Sequence, residues 1–351
     1  MFNGTIESHW IESFEAMLAL CAVKAGDTVC ILSESQSRPV LLQLAQLAAT
    51  RLRAQVFHIQ IPTKQSMHPM PIRSTGASTA IGQIGPVVQS LAASTLVIDC
   101  TVEGLLHAAE LPAMLKGGAR VLMVSNEHPE TLCRLLPTAS DEAPVREAMR
   151  LLRAAKKMVV TSDAGTALEI ILQAGAEVSP VGGVWGWASK PGQIAHWPGG
   201  LCLAFPRAGS VNGALVLDAG DINLTFKEYL RDAVRLQIRD DYIHAIEGGF
   251  EAERLRNTWA TWEQIEGANH GYAVSHVGWG LNKKARWDAL SYYDKSATNG
   301  TEQRAFAGNF LFSTGANETA QRHTAGHFDL PIRACTIELD GAAVVKQGHL
   351  V

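Results

Sequence analysis

Two short segments of this chain carry residue types able to hold a metal ion. In His327-Phe328-Asp329 an imidazole and a carboxylate stand two residues apart. Successive side chains of an extended segment alternate faces, so these two project from one side while Phe328 and Leu330 face the other. A second imidazole comes from His276, in Ser275-His276-Val277-Gly278-Trp279-Gly280. Two imidazoles and one carboxylate form the facial set that holds non-haem Fe(II) and leaves coordination positions open for dioxygen. The same spacing also suits a plain strand in which Asp329 makes a hydrogen bond or a turn, so the surroundings must decide.

Those surroundings favour a site. Gly278 and Gly280 free the backbone beside His276 for close approach, and the run at 309–315 (Asn-Phe-Leu-Phe-Ser-Thr-Gly) sets Ser313 at the end of an apolar strand, just before a glycine turn. His107 follows a strand-like run ending at Cys100. It reads either as a substrate-facing acid or base with a pKa near neutrality or as a water-exposed histidine at a helix start. The carboxylates of 247–253 (Glu-Gly-Gly-Phe-Glu-Ala-Glu) are open to two readings as well, as ligands or as charges favouring the start of the next helix. His323 and His327 have the spacing of a zinc helix, but Gly326 lies between them and no HExxH glutamate is present, which excludes a metallopeptidase of that type. Of the 12 histidines, His9, His58, His68, His128, His244 and His349 sit singly in polar or turn-like contexts and read as surface or capping residues. Dinucleotide-binding, phosphate-loop and GxSxG patterns are all missing, which argues against nucleotide binding and serine hydrolysis.

The elements that must position these residues change character along the chain. Residues 28–32, 55–61, 96–100, 120–124 and 158–161 read as buried strands, with helical spacing over 39–53, 86–93, 105–116 and 143–155. Such alternation predicts an α/β fold with a doubly wound parallel sheet over 1–164, whose ligands bind at the carboxyl ends of the strands. Beyond this point strand-like runs follow one another directly, at 201–205, 214–217, 233–238, 242–246, 334–339 and 342–346, broken by one helix from 251 to about 262. Turn-formers at 239–241 and 340–341 join two of these pairs as hairpins. An antiparallel, β-rich (α+β) domain over 165–351 is expected to carry the metal site. The Gly/Pro-rich segment 182–200, with Trp185 and Trp187, is long enough to be a lid or binding loop.

Bulk properties narrow the partners. At 351 residues the chain exceeds what one hydrophobic core usually supports, and 47% hydrophobic with 18% charged residues is the make-up of a well-packed globular protein. A net charge of −4 with no basic run disfavours nucleic acid. The lack of a secretion-type leader or membrane-length apolar stretch leads us to expect a cytoplasmic protein without membrane contact. Six scattered cysteines without a CxxC pair read as reduced thiols, mostly buried.

Several of these segments together resemble the 2,5-dihydroxypyridine 5,6-dioxygenase family, ring-cleaving enzymes of bacterial nicotinate breakdown that share a fold family with the aminopeptidase T type metallopeptidases. The resemblance is carried by 105–107 (Leu-Leu-His), 196–198 (His-Trp-Pro), 215–218 (Leu-Val-Leu-Asp) with 220–222 (Gly-Asp-Ile), 248–253, 275–280, 309–315 and 327–329. It implies that His276, His327 and Asp329 ligate Fe(II), with Ser313 as a weaker oxygen ligand. It also implies that Leu106 and His107 touch a hydroxypyridine substrate, His107 moving a proton at a ring hydroxyl, and that His196 and Arg304 anchor substrate or support the ligands. Oxidative cleavage of 2,5-dihydroxypyridine with O2 to N-formylmaleamate, by a homo-oligomer, is the expected function. The segment 178–192 departs from the family in lacking acidic residues and carrying Trp185 and Trp187, so a pocket lined by it would take a differently substituted ring. A two-metal aminopeptidase is the competing reading; it needs bridging carboxylates, and His276 stands where those peptidases would carry a glutamate.

Overall fold

The computed structural model describes residues 5–64 and 78–351; His68 lies outside the described residues. The strands Thr28–Glu34, Gln55–Ile61, Leu96–Asp99 and Arg120–Met123 pair in parallel. Leu96–Asp99 and Arg120–Met123 are buried at every position, as strands covered on both faces require. Helices Ser8–Leu20, Pro39–Arg51 and Gly85–Ala92 accompany them. The edge beyond Arg120–Met123 is taken by Ile194–His196, also parallel, which brings His196 to the carboxyl edge of this sheet.

Two expectations for this half are corrected. Residues 158–161 are not a strand of the parallel sheet: Lys157–Thr161 pairs antiparallel with Ala167–Ile171 and Thr336–Leu339. Its burial alternates along the strand, as in a sheet with one wet face, and the short link to Ala167 has no room for a crossover helix. The helix expected over 105–116 spans only Leu111–Lys116. Pro112 sits in its first turn, where a missing N–H costs nothing, and the residues before it are held in turns by the Asp99 carboxylate.

Among the described residues the second half builds two large antiparallel sheets and two small two-stranded ones. Of the large ones, one runs Phe328–Ile332, Phe310–Thr314, Val274–Gly280, Leu201–Ala204, Val181–Val184; the other has eight strands and includes the hairpins expected at 239–241 and 340–341. The left-handed backbone at Asp240, Asp241, Asp340 and Gly341 makes those turns. Phe328 meets Trp259 and Trp262 of the helix Phe250–Glu266 at ring-centroid distances of 5.1 and 5.0 Å, within the core beneath the first of these sheets.

The segment 182–200 is not a lid. It supplies an edge strand to each of two sheets, and Trp187 and Trp197 are buried in the core of the parallel half. Trp185 packs under Arg146, 4.7 Å from the guanidinium, away from the histidines. The six cysteines are free thiols, five of them buried. Among the described residues, no helix is long and apolar enough to cross a membrane.

Candidate metal and catalytic site

The site forms where the carboxyl edge of the parallel sheet meets one face of the five-stranded antiparallel sheet. Three adjacent strands of the latter supply its floor. Phe328 turns into the core, so His327 and Asp329 turn the other way, as the alternation predicts. Ser313 lies opposite Asp329 in the strand register, and the pairing between Val274–Gly280 and Phe310–Thr314 slips between Val274 and Val277, at His276. A bulge re-aims a side chain and leaves its own backbone unpaired. Here the Ser313 hydroxyl repairs the gap: it accepts the His276 N–H and donates to the His276 carbonyl, both at 3.0 Å. One lone pair remains on Ser313 for the weak ligation expected of it. Gly278 is required because any Cβ there would overlap the Cys202 carbonyl of the next strand.

His276, His327 and Asp329 are all nearly buried, and their polar atoms converge. Asp329 Oδ1 lies 3.5 Å from His276 Nε2 and 3.3 Å from His327 Nε2. Two ligands about 2.1 Å from one ion and at right angles stand about 3 Å apart, so this spacing suits a shared cation. Asp329 Oδ1 has no hydrogen-bond partner among the described residues. Buried polar atoms left in this way are costly unless something binds them. The donor set, two imidazoles and one carboxylate oxygen, therefore fits a divalent transition metal.

Arg304 fixes the carboxylate. Its Nε donates to Asp329 Oδ2 at 2.6 Å, while Nη1 donates to the backbone and side-chain oxygens of Asn299 at 3.1 Å. Burial pushes the Asp329 carboxyl up, but Arg304 and the two imidazoles outweigh it and hold the group well below the usual carboxylate range. Burial is the main cause that lowers His276 to about 3, opposed by Asp329 and assisted by His327. Both groups are thus in the deprotonated form that metal binding requires.

The opposite wall comes from the parallel sheet. His107 stands in the turn after Leu96–Asp99, its ring 4.9 Å from that of His327 and 6.4 Å from that of His276. Ring nitrogens of the three histidines all lie within 4.8 Å of one another. His107 as a whole is half-buried, but its Nε2 is enclosed and unpaired among the described residues. Burial, then His327 and His276, hold its pKa well below 6.5, not near neutrality, and the water-exposed reading does not hold. His196 Nε2 is likewise enclosed without a partner among the described residues, its pKa lowered to about 4 by burial and by Arg304. A cavity of about 50 Å³ is lined by His196, His276, His327, Asp329 and Arg304 together with Leu106, Met123 and Leu203; His107 abuts the histidines without lining it.

All eight residues singled out in the sequence thus lie in or against one site. Trp185 and Trp187 are not among the residues lining it; Val184 is. The acidic run 247–253 is elsewhere: Glu251 pairs with Arg254 in the first turns of its helix, which leaves the dipole reading. Sequence reasoning missed Glu103, Met123 and Asn299 at the cavity wall. Only Asn299-Gly300, a turn-forming pair, carried a local signal.

Comparison with known proteins identifies the family. The family model of 2,5-dihydroxypyridine 5,6-dioxygenase matches residues 9–351. The curated 2,5-dihydroxypyridine 5,6-dioxygenase of Pseudomonas putida is 37% identical over 347 residues, covering 97% of this chain and 95% of that protein. The solved structure of 2,5-dihydroxypyridine dioxygenase from Pseudomonas putida KT2440 superposes with a TM-score of 0.91 at 36% identity, covering 99% of this chain and 98% of that one. AmpT from Thermus thermophilus, at 12% identity and a TM-score of 0.67 over 98% of this chain and 99% of its own, shares the fold. The chain belongs to the 2,5-dihydroxypyridine 5,6-dioxygenase family.

Proposed function

We propose that this protein is an Fe(II)-dependent dioxygenase that opens 2,5-dihydroxypyridine between C5 and C6 to give N-formylmaleamate. The observation that carries the metal reading is the convergence of His276, His327 and Asp329 Oδ1 at a cavity that His196 enters from the other side, with the His107 ring 4.9 Å from that of His327. Bound Fe(II) would supply the electron transfer that lets dioxygen react with an electron-rich ring. His276, His327 and Asp329 would hold it, with Ser313 as a weaker fourth contact.

The remaining roles belong to the protein. Arg304 occupies Asp329 Oδ2, so Oδ1 is the oxygen presented to the metal. His107, neutral because it is buried, offers Nε2 to the proton of the ring hydroxyl, and a deprotonated ring is the better electron donor. His196 Nε2 is placed to hydrogen-bond a second ring substituent. Leu106, Met123 and Leu203 give the ring apolar walls and exclude water. The cavity is smaller than the roughly 150 Å³ that holds benzene in a protein interior, so substrate must displace lining side chains, of which Met123 is the most adaptable. Among the described residues Asp329 is the carboxylate paired with His276 and His327, whereas a bridged metal pair needs further carboxylates between the ions. A cytoplasmic homo-oligomer is proposed on the family resemblance. Oxygen uptake by anaerobically prepared, Fe(II)-loaded protein against a panel of hydroxypyridines and hydroxylated benzoates tests the function; uptake with none of them, or dipeptide cleavage with zinc or manganese, would refute it.

A further inference from the structure

Arg304 lies on a helix too short to stand alone. Thr301–Ala305 has five residues, all buried, and is preceded by Gly300 in the left-handed conformation, with no side chain to cap it. The missing acceptor arrives from the other half of the molecule. Glu127, 1% exposed and four residues beyond the strand Arg120–Met123, accepts the Thr301 N–H on Oε1 at 2.7 Å. The same carboxylate accepts the Asn299 N–H, and its Oε2 lies 3.4 Å from Thr298 Oγ1. Asn299 is also gripped from the far end by Arg304 Nη1. A parallel strut joins Glu302 to Arg134 through two bonds of 2.7 Å.

We propose that Glu127 is a positioning residue of the metal site. By holding residues 299–301 it fixes the turn that aims Arg304 at Asp329 Oδ2, and so sets which carboxylate oxygen faces the metal. The parallel half of the chain thereby controls the ligand geometry of the antiparallel half. Groups bonded directly to a ligand, as Arg304 is to Asp329, are worth roughly 10–100-fold in metal affinity when removed, and a group acting through Arg304 falls at the lower end of that range. The inference rests on Asp329 being a ligand, as proposed above.

The test is anaerobic titration with Co(II) alone, followed by its visible absorption, on wild type, Glu127→Ala, Glu127→Gln, Glu127→Asp and Asp329→Ala, with circular dichroism and Tm as controls. Glu127→Ala is expected to bind Co(II) about 10-fold more weakly and with shifted bands. Glu127→Gln keeps a carbonyl acceptor for the Thr301 N–H and should recover most of the affinity. Folded Glu127→Ala with wild-type affinity and spectrum, whatever its Tm, would overturn the inference and leave the metal site standing. Should Glu127→Ala not fold, Glu127→Asp, a methylene too short to reach all three donors, must show a weaker site, and unchanged binding there overturns the inference equally. Asp329→Ala titrating like wild type would overturn both the ligand assignment and the inference built on it.

Discussion

Gly104→Ala separates the catalytic role of His107 from the role of the metal ligands. Gly104 has φ +81°, and an added Cβ would overlap Met123 Cε and stand 2.8 Å from Ser125 Oγ. The left-handed backbone costs alanine about 1 kcal/mol, and forcing Met123 off its rotamer about another. Relief requires the turn 101–107 to shift against the Asp99 carboxylate, which accepts the N–H groups of Thr101 and Leu105 at 2.9 Å. The expected loss is therefore about 2 kcal/mol of stability in urea melts. His107 lies three residues further on, and a misplacement of about 1 Å costs roughly 100-fold in rate. Metal content should stay at wild type, because His276, His327 and Asp329 come from the other sheet. Oxygen uptake, metal analysis and urea melts on one preparation decide the matter. A destabilised variant with full kcat would refute His107 as the proton acceptor, and loss of metal would make His107 a ligand.

Other outcomes are as specific. His107→Ala should retain metal and lose roughly 10²–10⁴-fold in kcat with an altered pH profile; metal loss would contradict its role. His327→Ala or Asp329→Ala should abolish metal retention, and stoichiometric metal with full turnover in either would refute the ligand set. Arg304→Leu leaves Asp329 Oδ2 buried and uncompensated, and should lower stability by about 3–5 kcal/mol; a change under 1 kcal/mol would mean that the pair is not held as described. Metal-free protein should be acid-labile. His276 and His196 are lowered to about 3 and about 4 from 6.5, so below pH 6.5 the unfolded chain takes up protons that the folded one does not. Stability is full above pH 6.5 and falls as pH drops, by at most about 4 kcal/mol down to pH 5 from these two groups. A flat dependence of the urea midpoint between pH 7 and 5 would show that these imidazoles are not buried and neutral.

Much of this was legible in the chain because local rules and tertiary context agreed. Gln55–Ile61 and Ala342–Lys346 have the bounds their patterns indicate, and Phe328 marks the face opposite His327 and Asp329. Where context overrides pattern, reading fails. The strand Lys157–Thr161 has β-branched residues that suit either sheet, and only its pairing decides. The helix Ser8–Leu20 buries Trp10, Phe14, Met17 and Leu18, an i, i+4, i+7, i+8 stripe that marks a helix in the sequence itself. At the site, ligand types and alternation were readable. The ladder slip that turns His276, the Asn299 wall and the reach of Glu127 across the molecule depend on contacts between residues far apart in sequence, which no local spacing encodes.

The proposal that this enzyme adds dioxygen across the C5–C6 bond is tested most directly by turnover of 2,5-dihydroxypyridine under ¹⁸O₂ with Fe(II)-loaded protein, read by mass spectrometry of the product. Both oxygen atoms should enter the ring-opened product, with one O2 consumed per ring and no reaction in metal-free protein or in Asp329→Ala. Label in one position only, label in water instead of product, or an intact ring would contradict it.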